Sequence, residues 1–423
     1  MVEHGSLRLL FIMSEYPLQA GGTGGGGIGS YGGIIAPALA ERGHEVHVLS
    51  CKYGQEPSDY FDHGVWVHRR GQISLRRGYL KVAQQPVQTV TPSVRKAPSA
   101  FPPTETTQRM RGAASDYLAY RRLKLKFDVI ECPDWGAEGL FFALFRPAPL
   151  VVPVHNPFIV SQHFVSNGAP LGWDGRMAST LERYAVHRAD VVTSASQLMV
   201  KELNRLGWLR KKRVEIIPYA IDWQSWCAVK PVSTTSPVVL FIGRLDRLKA
   251  PELLIEAVGM LRETMPEVRA IFIGKSNGER DGVPYVEWLK GLAEKAGGCE
   301  FVGEVPREAL PQYLEQARVV AVPSQFESFS LVAAEAMSAG RPVVLTESTG
   351  ISELVREFGG GQVVSNGNAA ALAEALQPYL SDAKRAAEVG DRGRQLVQWF
   401  CDPAIVAAQR ERAYRNAISL RNS

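Results

Sequence analysis

The 423-residue chain predicts an α/β protein of two domains, each on a doubly wound parallel sheet, and three observations carry that prediction. Apolar strand-like runs alternate with helical patterns through the first half. A polar, proline-bearing stretch, Trp223–Ser236, interrupts the alternation, which restarts at Val238. The length suits two cores rather than one.

Composition narrows the class. The five cysteines (Cys51, Cys132, Cys227, Cys299, Cys401) are scattered and lack C-x-x-C spacing, which argues against a disulfide framework or zinc site and for a reducing compartment. The best apolar run, Leu140–Phe145, is cut by Arg146 and Pro147, and Leu7–Met13 reads as a first strand rather than a signal peptide. The expectation is a cytoplasmic, soluble protein. Net charge is only +5, but about a dozen cations fall between Arg69 and Lys126 against Glu105 and Asp116. Prolines at 86, 92, 98, 102 and 103 make much of that segment read as loop. It is either a solvated insertion or a basic surface for an anionic membrane face or a phosphorylated acceptor.

In order, the first half offers strands at Leu7–Met13, Glu45–Ser50, Val65–Arg69, Val129–Glu131, Leu150–Val154, Val191–Ser194 and Val214–Ile217. A helix from near Ile28 to Gly43 joins the first two. Gly27-Ile28-Gly29-Ser30-Tyr31-Gly32 matches G-x-G-x-x-G, yet it lies about fourteen residues past its strand, and the second strand ends without a ribose-binding acid. No G-K-[ST] follows either. What remains is a flexible glycine-rich lid, with Gly27 and Gly29 able to approach a phosphate closely. Asp134 and Trp135 follow a strand at the edge where open α/β sheets bind ligands; Asp134 reads equally as an acceptor contact or a helix N-cap. His155 ends the next strand.

In the second half, strands are expected near Ala270–Ile273, Glu300–Val302, Val319–Val322, Val343–Thr346 and Gly361–Val364, and a helix over Pro403–Ile418. Gly243-Arg244-Leu245-Asp246-Arg247-Leu248-Lys249 puts a close-approach glycine and two cations at a strand end, suited to a diphosphate. Val319–Leu345 reads as strand, turn, helix and strand. The first-turn amides at Phe329, Ser330 and Leu331 lack intrahelical partners and make an anion site, bracketed by Glu327 and Glu335. Carboxylates beside an anion hole suit a phosphate ester with hydroxyl-rich parts on either side, such as a nucleotide sugar.

The segment Pro-Ser-x-x-Glu-x-Phe-x-Leu-x-x-x-Glu-Ala-Met-x-x-Gly-x-Pro-Val-Val from Pro323, with G-R-L-x-x-x-K from Gly243, resembles the retaining glycosyltransferases of family 4, which have the GT-B fold. The resemblance covers nearly the whole chain. It implies a GT-B fold of two Rossmann-like domains facing across a cleft: residues 1–222 for the acceptor, with a basic insertion at about 70–122; a linker, 223–236; residues 237–402 for the nucleotide sugar; and 403–423 as a helix packing back on the first domain. It implies that Arg244 and Lys249 neutralise the diphosphate, that Glu327 and His155 hold the transferred sugar, and that Glu335 takes the ribose hydroxyls. Gly243, Gly274, Gly303, Val305 and the Phe329–Leu331 amides complete the donor site, while Gly27, Gly29, Asp134 and Trp135 face the acceptor. Ser330 and Ala250 stand where the family usually has Gly, and Tyr219-Ala220 where it has Asn-Gly. No D-x-D pair occurs in the chain, so no metal or other cofactor is expected. The expected reaction moves a hexosyl group from a nucleoside-diphosphate sugar, UDP favoured, to a hydroxyl acceptor with retention. The alternatives are a nucleotide-sugar 2-epimerase and a non-catalytic nucleotide-sugar-binding component of a polysaccharide assembly. No nucleic-acid partner is expected; peripheral membrane contact is assigned to the basic insertion.

Overall fold

The structure, a computed structural model, describes residues 5–17, 26–73, 104–165, 168–209, 212–231 and 237–422. Eight strands build the first sheet: β1 (Arg8–Ile12), β2 (Glu45–Lys52), β3 (Ser58–Asp62), β4 (Val65–Gly71), β5 (Val129–Glu131), β6 (Leu150–Val154), β7 (Val191–Ser194) and β8 (Val214–Ile216). Their spatial order is β3-β4-β2-β1-β5-β6-β7-β8. After it come β9 (Val238–Ile242), β10 (Arg269–Ile273), a small hairpin of β11 (Glu279–Arg280) and β12 (Val283–Pro284), β13 (Cys299–Gly303), β14 (Val319–Val322), β15 (Val343–Thr346) and β16 (Gly361–Val364). The second sheet runs β13-β10-β9-β14-β15-β16, all parallel. The protein is therefore α/β with two parallel-sheet domains.

Helices cover both faces of each sheet, so the central strands are largely apolar, with the buried Glu131 of β5 standing apart. Along β1, Leu9 and Phe11 enter one core and Leu10 and Ile12 the other. Strand order reverses between β1 and β5 and between β9 and β14, and crevices open at the carboxyl ends of the strands there.

Four features differ from the sequence expectations. β3, a short charged strand (Asp59, Asp62), pairs antiparallel with β4 through a turn at His63 and Gly64. The β11–β12 hairpin was also unforeseen. Gly27 and Gly29 lie inside a helix, Gly26–Glu41, rather than in a lid, because a glycine run still closes helical hydrogen bonds once Tyr31, Ile35 and Leu39 bury one face; residues 21–25 of that loop lie outside the described residues. The basic segment is not loop throughout. Glu105–Leu123 is a helix, capped by Thr104 accepting the Thr107 N–H, and it buries Ala113, Asp116 and Ala119. Residues 74–103 lie outside the described residues, as do 232–236 of the expected linker.

The C-terminal helix, Pro403–Asn422, lies on the first sheet. Its Tyr414 hydroxyl donates to Glu131 Oε2 (2.8 Å), and its Arg410 donates to Thr193 Oγ1 (2.6 Å). Tyr31 donates to the other Glu131 oxygen at 2.7 Å. At the crossover, Ile221 N–H donates to Cys401 O (2.8 Å) and the Trp223 indole to Asp402 (2.8 Å).

Candidate functional site

The loops after β9, β10 and β13 hold one another through their backbones. Gly243 N–H donates to Ile273 O (2.9 Å), and Gly274 N–H to Gly303 O (2.8 Å). A Cβ at Gly274 would lie 1.9 Å from Gly243 O, so only glycine fits there. Val305 follows Gly303 beyond the end of β13 and packs against the core.

Arg244, 53% exposed, pairs with Asp246 at 2.7 Å. Asp246 also accepts the Lys249 N–H at 3.0 Å, so one aspartate sets the positions of both cations. Sequence reasoning passed over it; its place between the two cations was the available signal. Lys249 reaches across to Glu327 Oε1 at 2.9 Å, and Ser324 donates to the same oxygen at 2.5 Å. Burial pushes the Glu327 carboxyl up, but the Lys249 ammonium and hydrogen bonds from Ser324, Lys249 and Ser330 outweigh it and hold the group below the usual range. Glu327 is thus an anion with its cation in place.

The helix Leu331–Ser338 starts from Ser330, whose side chain accepts the Ala333 N–H. Ser330 has φ 107°, a region that disfavours any side chain. The turn keeps the backbone path a glycine would take. Phe329 beside it is buried, and its carbonyl accepts the Ile351 N–H (3.0 Å). Glu335, buried in that helix, pairs with Arg307 at 2.6 Å. Burial raises its carboxyl above the ordinary value, with Arg307 pulling the other way. Arg307 was not foreseen. It comes from the turn after Val305, lies 4.8 Å over the Trp226 ring, and shows no motif in the sequence.

Across the crevice, His155 ends β6 and is buried. Its Nδ1 lies 2.5 Å from the Tyr219 hydroxyl, and its Nε2 has no hydrogen-bond partner among the described residues. Burial, then the Arg410 charge, pushes His155 down to about 3, so the ring is neutral. Asp134 accepts the His155 N–H (2.7 Å) and caps no helix. Its fully buried carboxyl is pushed up to about 8, chiefly by burial. Trp135 starts a short turn, 5.6 Å under the Arg109 guanidinium. The buried Glu182 underpins this edge by accepting Gly136 N–H (3.2 Å) and Phe158 N–H (2.8 Å).

The two edges touch. Ser196 Oγ donates to Ser328 O (2.7 Å), Gln197 N–H donates to Glu353 (2.9 Å), and Phe164 stacks on Phe326 at 5.4 Å. Tyr219 links His155 to Phe329, its ring 5.4 Å from each. The residue that departs from the expected Asn is therefore one of those that join the edges. Arg244, Lys249, Glu327, Glu335, Gly243, Gly274 and Gly303 gather at one edge and His155 and Asp134 at the other, while Gly27 and Gly29 lie in the helix following β1.

Two family models match the chain: "Glycosyl transferase 4-like domain" over residues 26–220 and "Glycosyl transferases group 1" over 225–396. D-inositol 3-phosphate glycosyltransferase of Xylanimonas cellulosilytica is 28% identical, covering 91% of this chain and 90% of its own. Sucrose-phosphate synthase from Thermosynechococcus elongatus superposes with a TM-score of 0.74 at 23% identity, covering 98% of this chain and 99% of that one. Anabaena HepE, solved in complex with UDP and glucose, gives 0.63 at 20% identity, covering 96% and 98%.

Proposed function

The chain belongs to the family 4, group 1 glycosyltransferases of the GT-B fold, and we propose that it moves a hexosyl group from a UDP-sugar to a hydroxyl acceptor with retention of configuration. The observation that carries this reading is the Lys249–Glu327 pair at the start of the Leu331–Ser338 helix, with Arg244 beside it and the neutral His155 on the facing edge. Arg244, Lys249 and the first-turn amides at Phe329, Ser330 and Leu331 stabilise the diphosphate as charge develops on it. Glu327 and the unpartnered His155 Nε2 hold hydroxyls of the transferred sugar. Glu335 accepts from the ribose, exchanging its Arg307 contact for those hydroxyls. As the acceptor oxygen bonds to the anomeric carbon, the bond to the diphosphate breaks on the same face, and a leaving phosphate oxygen takes the acceptor proton.

Asp134 acts as a positioning residue that fixes the backbone of His155. The inositol-phosphate acceptor of the Xylanimonas relative and the UDP of HepE favour a polar acceptor and a uridine donor. The test is incubation with UDP-glucose and a panel of hydroxyl acceptors, with the product read by NMR. An α-linked glucoside is expected. A β-linked product would refute retention, and conversion of the donor without an acceptor would favour the epimerase.

A further inference from the structure

We propose that the first domain docks on an anionic lipid surface through the pole at the amino ends of its strands, opposite the edge that holds His155. Strands of a parallel sheet all begin on one side, so the residues just before them share that side. Here every such connection from β5 to β8 carries a cation: Lys124 and Lys126 before β5, Arg146 before β6, Arg188 before β7, and Lys212 and Arg213 before β8. The two acids among them both hold partners, with Asp128 exposed and Asp190 largely buried. Asp128 accepts the Arg8 N–H (2.7 Å), and Asp190 accepts Leu150 N–H (2.8 Å) and binds Arg146. The end of the C-terminal helix adds Arg421, which donates to Arg146 O (2.6 Å).

Cations also suit the C-terminal ends of helices, which reach this side in any such fold. The second domain does the same, with exposed Lys295 and Arg356 in the last turns of the helices before β13 and β16. One observation goes beyond that need. The first-domain pole carries exposed apolar side chains that no cap requires. Phe145 and Leu144 of the helix Leu140–Phe145 are 57% and 50% exposed, and Leu118 of the neighbouring helix is 45% exposed. Phe145 stacks on Tyr117 at 4.9 Å, and exposed Arg121 and Arg122 lie one turn beyond Leu118 on the same helix. Apolar side chains that enter the headgroup layer, ringed by cations that meet lipid phosphates, fit an anionic bilayer. A groove of about 860 Å³ lined by Lys212, Arg213, Arg412 and Leu420 lies beside the pole. Docking there leaves the crevice facing away from the membrane. The surface differs from residues 74–103, and the inference is independent of the donor assignments.

The experiment is co-sedimentation of the full chain with phosphatidylcholine vesicles, with and without about one-third phosphatidylglycerol, at ~0.1 M salt. Binding is expected only to the anionic vesicles, weakening about tenfold or more in the triple variant Arg121→Glu, Arg122→Glu, Lys124→Glu. The pair Leu144→Asn, Phe145→Asn should weaken it severalfold, while the circular dichroism spectrum and cooperative thermal unfolding of both variants match wild type and report an intact fold. No binding to anionic vesicles, equal binding to neutral ones, or unchanged binding of the triple variant would overturn the proposal. Loss in the charge variant with none in the Leu144/Phe145 variant would overturn it too, pointing to a soluble polyanion.

Discussion

Arg410→Met tests how the C-terminal helix is fastened to the first domain. Arg410 and Glu131 are both 0% exposed, with Nη1 3.7 Å from the carboxylate. Methionine keeps the apolar stem but strands the Glu131 charge, leaving it the Tyr31 and Tyr414 hydroxyls. Breaking a buried pair from one side costs about 3–5 kcal/mol, and the two tyrosine bonds place this case near ~3. Adding Glu131→Gln removes the stranded charge and keeps an amide within reach of both hydroxyls. The double variant should therefore lose only about 1–2 kcal/mol, a coupling of roughly 2 kcal/mol or more. Hydrogen exchange across Pro403–Asn422 reads the opening free energy of the helix directly. A single-variant cost below about 1 kcal/mol, or a double variant that is no better than the single one, would refute the reasoning.

Lys249→Ala and Arg244→Ala should each lower turnover by about a hundredfold; steady-state rates within threefold of wild type, roughly, would remove their role. Glu335→Ala should raise the dissociation constant for nucleotide in calorimetry far more than it lowers kcat. Ser330→Gly should be at least about 1 kcal/mol more stable than Ser330→Ala in urea unfolding, because alanine loses the cap at Ala333 and keeps the strained φ, whereas glycine relieves it. Equal stabilities would count against strain at that turn. Burial pushes Glu411 up, but Arg42 and Arg415 outweigh it and hold the carboxyl at about 2. Its contribution to helix docking is thus present above its unfolded value of 4.5 and lost as pH falls from there toward 2. Wild type should lose stability over that window more steeply than Glu411→Gln.

Much of the second domain could be read directly from the sequence, because local rules and tertiary packing agree there. Gly274 shows why: a residue forced to be glycine by a neighbouring carbonyl stands inside the motif that signals it. The partners that come from distant elements were invisible. Arg307 meets Glu335 and Arg410 meets Glu131 only once sheet order and the C-terminal helix are set. Tyr219 looked like a departure from a motif, and its contact with both edges depends on the approach of the two domains. The helix Glu105–Leu123 was legible and passed over, since Thr104 and Glu105 are an N-cap and first-turn acid directly after the last proline. Ser330 shows the opposite limit. The sequence marks the substitution, but only the backbone angle reveals what it costs.

The crevice at the carboxyl edge of the second sheet is proposed to bind the donor nucleotide through Lys249, Arg244 and Glu335. A thermal-shift panel with UDP, GDP, ADP, NAD and UDP-glucose tests it most directly. A ligand at a hundred times its dissociation constant adds about 2.7 kcal/mol, which moves the midpoint of a domain this size by several degrees. The prediction is a shift with UDP and UDP-glucose, none with NAD, and its loss in Glu335→Ala. A shift with NAD, or a UDP shift unchanged in Glu335→Ala, would contradict the claim.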